Sequence, residues 1–349
     1  TGTWVAGETP GCMSSGAAAG RPLEAWTAAL QADLRQGGYT PAAWARFLAC
    51  SWRRARETTR REALLVRSWR CLSLTIAAGS AIPLAFAWRR YSPRQARRMG
   101  GILLVGLVLW QADGYVHLGL NRRLHDGTPL PVLGPAIWLS YLRGAVAYWL
   151  LAATATGIDI PGLAPGALAV GALTDALDGP LARRLRQATK LGAYVDGEAD
   201  LVLAVALTLT AVRRGALPAR AFLLVAARYA LPVGAAFWVA FATGRPPALE
   251  HTFPGRLCGV AQTALMGYTL MPKRKKGLDK PRQLLLGLAA ALSVASGAAQ
   301  VARVVWPRHG RPWQSMPAVM APSPGPAVSI ALVEPTRERL QRSSRSEHA

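Results

Sequence analysis

From residue 137 onward the chain is a succession of long apolar runs separated by short polar breaks. Six such runs lie at about 137–156, 163–181, 191–212, 219–242, 256–272 and 282–303. Each approaches the roughly 20 apolar residues that carry an α-helix across a bilayer. A segment that enters lipid must satisfy its backbone polar groups internally, which restricts it to a helix or a closed barrel. The expectation is an all-α, polytopic membrane bundle with six core transmembrane helices. Composition agrees: 51% of the 349 residues are hydrophobic and only 17% charged, against roughly 25% in soluble domains. The rival is a soluble two-domain protein whose Ala- and Leu-rich helices are buried in its own core.

The rest of the chain divides around this core. Residues 1–70 read as an N-terminal amphipathic helical region, with "LEAWTAALQADL" at 23–34 and a second helix across "YTPAAWARFLACSWRRARETTRREALLVRSWR". That second helix suits the membrane surface, and a small solvated helical domain is the alternative. Residues 71–119 hold two weaker apolar runs, about 71–88 and 101–112, which suit an additional membrane hairpin. A polar linker follows at 120–136, the core occupies 137–305, and the Pro-, Ser- and Arg-rich stretch 306–349 is expected to be a disordered tail.

Net charge is +23, from 41 Lys and Arg against 18 Asp and Glu. The basic residues cluster between apolar runs, which points to anionic lipid head groups as partners and away from nucleic acid. Cys12, Cys50, Cys71 and Cys258 show no paired spacing, so neither a disulfide framework nor a zinc site is expected. The start, "TGTWVAGETPG", lacks a basic stretch followed by an apolar core, so no cleavable signal is expected in it.

Four of the few acids fall in one place. Asp175 and Asp178 are three apart at the end of the second run, and Asp196 and Asp200 are four apart at the start of the third. Residues so spaced share a helix face, so two neighbouring helices can aim four carboxylates at one point. Such a group repels itself unless cations sit within it, and carboxylate oxygen suits Mg²⁺ or Mn²⁺. Ionisable groups at membrane depth are costly and mark function. Gly179, Ala182 and Gly192 keep the surroundings free of bulk, as a flat base or ribose requires. Arg183, one turn past Gly179, can offer a fork of donors to phosphate. The set suggests a bound nucleotide diphosphate. Simple pairing of the acids with Arg183, Arg184 or Arg186 is the alternative.

The residues Asp175, Asp178, Gly179, Ala182, Arg183, Gly192, Asp196 and Asp200 fill every position of D-x2-D-G-x2-A-R-x8-G-x3-D-x3-D. In this the chain resembles the CDP-alcohol phosphotransferase (CDP-alcohol phosphatidyltransferase) family. Upstream, "PAIWLSYLRG" resembles the opening of that family's first span, with Pro135, Leu139, Ser140 and Arg143 matching and Ala136 standing where Asn is usual. The resemblance implies a membrane enzyme of phospholipid synthesis that moves a substituted phosphate from a CDP-alcohol, often CDP-diacylglycerol, to an acceptor alcohol and releases CMP. It implies two divalent ions on Asp175, Asp178 and Asp196 with help from Asp200. It also implies Asp200 as base, a cytidine pocket of Gly179, Ala182 and Gly192, and Arg183 on phosphate. Family members are commonly homodimers.

The acceptor is open. Arg143, Arg228 and Arg256 are the cations that a phosphorylated acceptor could use. The stretch Asp196-Gly197-Glu198-Ala199-Asp200-Leu201 departs from the Asp-Pro-x-x-Asp-Lys ending frequent in members that use glycerol phosphate, and Glu198 faces away from its two neighbours. The basic loop after Arg183 is expected on the cytoplasmic side of the cell membrane. Six spans then put "PKRKKGLDKP" outside, against the positive-inside rule, and "WRRYSPRQARRMG" poses the same conflict. Two rivals remain: a membrane prenyltransferase, which normally carries a second Asp-rich motif, and an ion transporter, which does not need Gly179 and Arg183.

Overall fold

The computed structural model describes residues 23–243, 253–270 and 280–305. Within them the chain is helical, with no β-strand. The helices are α1 (Leu23–Gln36), α2 (Pro41–Arg61), α3 (Ala63–Arg90), α4 (Pro93–Val116), α5 (Pro135–Thr156), α6 (Leu163–Arg184), α7 (Lys190–Arg213), α8 (Ala219–Thr243), α9 (Phe253–Leu270) and α10 (Lys280–Val305). The six core runs reappear as α5 to α10. Calls on 1–22, on the loops around 244–252 and 271–279, including most of "PKRKKGLDKP", and on the tail lie outside the described residues.

Helix starts follow local chemistry. Thr40 caps α2 by accepting the Ala43 amide, with Pro41 in the first turn. Ser92 and Gln95 form a reciprocal capping box on α4, again with proline first. Gly157 ends α5 in the left-handed region, at φ 72°.

Five helices among the described residues, α3, α4, α5, α8 and α10, are long and apolar enough to cross a membrane. Helices α6 and α7 have 22 and 24 residues, about 33–36 Å at ~1.5 Å per residue. Their apolar character is diluted by the acids, and α9 is shorter. Helix α5 is the hub: 67% of its apolar stretch is buried, against 28% for α3, α4 and α10. One core joins α5, α6 and α7 with α8, α9 and α10 through Val146, Leu150, Leu203, Leu207, Leu265 and Met266. A second joins α5 and α7 to α3 and α4 through Leu65, Leu72, Trp110, Ile137, Tyr141 and Val195.

Three readings change. The basic amphipathic helix does not run on to residue 70. Glu62 leaves helical geometry, at φ −114° and ψ 62°, and α3 begins at Ala63 because Leu65, Leu72 and Ile76 form one buried stripe continuous with the hairpin. The hairpin helices are therefore longer than their apolar runs, their ends carried by exposed Arg67, Arg70, Arg94, Arg97 and Arg98. Second, the supposed linker is ordered. The buried Asn121 donates to the carbonyls of Leu130 and Val132 at 3.0 and 3.1 Å. Asp126 accepts from the amide and hydroxyl of Thr128 across a turn at Gly127, φ +70°. Third, Cys50 is disulfide-bonded, against the expectation of no disulfide, while Cys71 and Cys258 are free. Spacing alone gave no sign of the bond.

The bundle has two distinct ends. At one, the ordered 117–134 loop docks on the turn between α6 and α7: the Leu124 amide donates to the Ala188 carbonyl at 2.9 Å, and Arg123 bridges Thr189. At the other, the Tyr91 hydroxyl between α3 and α4 donates to the Asp159 carbonyl at 2.8 Å, and Arg214 pairs with the Asp159 carboxylate at 2.7 Å.

Candidate active site

The signature acids converge at the first of these ends. Helix α6 brings Asp175 and Asp178 on one face of its last turns, and α7 brings Asp196 and Asp200 on one face of its first turns. The connection is tight because the Gln187 amide returns to the Ala182 carbonyl at 2.8 Å while Arg186 takes a left-handed backbone, φ 54°. Thr189 then caps α7 by accepting the Gly192 amide at 2.9 Å. A side chain at Gly192 would lie 3.2 Å from that hydroxyl and 3.5 Å from Ile137 on α5, so the glycine lets α7 start close against its neighbour.

Carboxylate oxygens of Asp175, Asp178 and Asp196 lie within 4.8 Å of one another. Asp196 Oδ1 is buried and makes no hydrogen bond; Nη2 of Arg143, 2.9 Å away, gives it an ionic contact without hydrogen-bond alignment. An oxygen-only donor set, one member of which lacks a hydrogen-bond donor, fits a hard divalent cation. Side-chain exposure grades across the group, from 11% at Asp178 through 33% at Asp196 and 41% at Asp200 to 68% at Asp175. The cluster is thus closed at Asp178 and open at Asp175, where a ligand can enter.

Arg143, expected among the acceptor cations, is instead turned onto the acids. It is 1% exposed. Nη1 contacts Asp200 and lies 3.8 Å from Asp175, while Nη2 contacts Asp178 and Asp196. Its Nε donates to Thr174 Oγ1 at 3.0 Å, and that hydroxyl donates in turn to the Val170 carbonyl. Thr174 escaped the sequence reading, although its place four residues before Asp178 puts it on the acid face of α6.

The remaining candidates fall in different places. The Arg183 guanidinium folds back along α6 onto Gly179, where an added methyl would meet Nη1 at 3.2 Å. Ala182 is half-buried beside it. Arg228 on α8 donates to the Gly255 carbonyl at 3.0 Å and to the Gln262 amide oxygen, both on α9, so it ties these helices together. Arg256 stands in the first turn of α9, and its side chain lies outside the described residues. Glu198 faces away from the acids, as its spacing requires, and accepts from Trp110 Nε1 of α4 at 3.2 Å.

Residues 135–297, from the first residue of α5 into α10, match the family model of CDP-alcohol phosphatidyltransferase. The chain is similar to that family over 163 of its 349 residues. No curated protein and no solved structure matches the chain. The matched segment contains all eight signature residues and all three candidate arginines, and it begins at Pro135, after the α3–α4 hairpin and the docked loop. The match and the apolar helices together indicate a multi-pass membrane protein.

Proposed function

We propose that the chain transfers a phosphatidyl group from CDP-diacylglycerol to an acceptor alcohol and releases CMP. The observation that carries the reading is the meeting of three signature carboxylates within 4.8 Å, with the fourth, Asp200, outside that group. Asp175, Asp178 and Asp196 are the residues to hold divalent cations, Mg²⁺ or Mn²⁺. Bound there, such cations supply charge neutralisation on a pyrophosphate and so improve CMP as a leaving group.

The chain's own groups do the rest. Gly179 and Ala182 leave room along α6 for the cytidine, Gly192 serves that pocket by seating the start of α7 close to α5, and Arg183 reaches the diphosphate with paired donors. Asp200 is the base: it lies apart from the three-acid group and is partly open, so one oxygen can take the acceptor's hydroxyl proton while the other stays on Arg143. The Arg-rich turn at Arg183, Arg184 and Arg186 supports a cytoplasmic position for this end at the cell membrane, where soluble acceptors and the CDP-lipid head group meet.

The test is CMP release from CDP-diacylglycerol by the purified chain with Mn²⁺ or Mg²⁺, over an acceptor panel of glycerol phosphate, inositol phosphate, serine and phosphatidylglycerol. One acceptor should yield a phosphatidyl product. Asp200→Asn should lower turnover by about 10²–10⁴-fold while retaining CDP-lipid binding. Absence of CMP with every acceptor refutes the transfer, and normal turnover in Asp200→Asn refutes the base assignment.

A further inference from the structure

An arginine that only neutralises a carboxylate needs one partner, engaged through one or both of its oxygens. Arg143 has four, one from each signature acid, and a fifth polar contact fixes its Nε on Thr174. The side chain is 1% exposed, so little water screens it and its charge acts at full strength on its surroundings. The acids come from two helices, α6 and α7, and the guanidinium from a third, α5. Without that cation four carboxylates would face one another with no counter-charge, an arrangement that is strongly destabilising in a part-buried site.

We infer that Arg143 is the resident counter-charge of the acid cluster, holding the carboxylates together and setting how tightly they take a divalent cation. The inference rests on the transferase reading, because it presumes that those acids bind metal. The charges show why such a group is useful. Four carboxylates and one guanidinium leave the cluster at about −3. Two divalent cations then bring it to about +1, which is suited to a diphosphate that must enter and leave. Without the arginine the same two cations only reach neutrality, and the acids grip them harder. Arg143 thus trades metal affinity for attraction to the substrate's phosphates. Its fork of donors explains why the position carries Arg: a lysine ammonium has three donors from one nitrogen and does not span four carboxylates.

The measurement is Mn²⁺ affinity of the full chain in detergent, followed by electron paramagnetic resonance of free Mn²⁺, for the wild type and Arg143→Gln. A unit charge held about 4 Å from a divalent ion opposes its binding by more than tenfold even at high effective dielectric. Arg143→Gln should therefore bind Mn²⁺ at least tenfold more tightly than wild type while losing CMP release. Arg143→Lys, which keeps the charge, should stay within about threefold of wild type. If Arg143→Gln does not fold, the same comparison is made in the Asp200→Asn background, where one carboxylate is already neutral; adding Arg143→Gln there should again tighten Mn²⁺ at least tenfold. Equal or weaker Mn²⁺ binding on loss of Arg143 overturns the inference and leaves a scaffold role alone. Absence of Mn²⁺ binding in the wild type overturns the metal-dependent transferase reading itself.

Discussion

At the scale of single residues, the acid cluster is built from spacing and one buried cation, and a second polar group lies on the opposite side of α7. There His117 caps the end of α4, with Nδ1 3.3 Å from the Asp113 carboxylate and its ring stacked 4.4 Å from Tyr194; Glu198 is the next acid in reach. Burial by itself pulls the His117 pKa down, but the hydrogen bond and charge of Asp113 more than reverse this, so the pKa is raised. A positive imidazole at a helix C-terminus also gains from the helix dipole. A raised folded-state pKa means that the contribution is fully present below the ordinary histidine value of 6.5 and fades as pH rises through the raised value. Thermal unfolding in detergent should therefore show stability falling across that window, with the fall reduced in His117→Gln; an unchanged pH profile in the variant contradicts it. The four acids were legible in the sequence because period and spacing suffice to place them. Arg143 was legible as an expensive intramembrane cation, but its partners were not, since nothing in a linear sequence says which face of α5 meets the cleft.

At the scale of helices, α7 works on two faces. Asp196 and Asp200 turn to the cleft, while Glu198 takes the Trp110 indole of α4. This makes the α3–α4 hairpin part of the frame that orients the catalytic helix. The same indole packs against α5, with ring centroids 4.8 Å from Tyr141 and 5.5 Å from Tyr148. It fits only because Gly144 has no side chain: an added methyl would lie 2.1 and 2.5 Å from Trp110 ring atoms. Held between two tyrosines and Glu198, the ring cannot yield cheaply. Gly144→Ala should cost about 1–3 kcal/mol of stability, read as a lowered unfolding temperature, whereas Gly101→Ala on α4, with open space around it, should change little. Equal effects of the two substitutions contradict the packing argument. The sequence understated this hairpin. Its apolar runs are flanked by Arg67, Arg70, Arg94, Arg97 and Arg98, whose charge hides helical continuation from a hydropathy reading although long side chains at helix ends can reach water.

At the scale of the whole molecule, the elements that matter for chemistry gather at one end: the α6–α7 turn, the starts of α5 and α7, and the docked 117–134 loop. That loop looked like a spacer because its polar, proline-containing composition is that of any surface connection. Its Asp126-Gly127 pair was the turn signal that it folds back on itself, whereas the burial of Asn121 shows only in the structure. Helix count and order followed from the apolar runs, because in lipid backbone satisfaction leaves few alternatives. Which helices touch did not follow, since all lipid-facing apolar surfaces read alike. Binding of CDP to the purified chain, followed by isothermal titration calorimetry, tests most directly whether this end is a metal-dependent cytidine diphosphate site. CDP should bind in the presence of Mn²⁺, lose binding in EDTA, and bind at least tenfold more weakly to Asp178→Asn. Equal affinity with and without the metal, or an unimpaired Asp178→Asn, would contradict a site built on converging carboxylates.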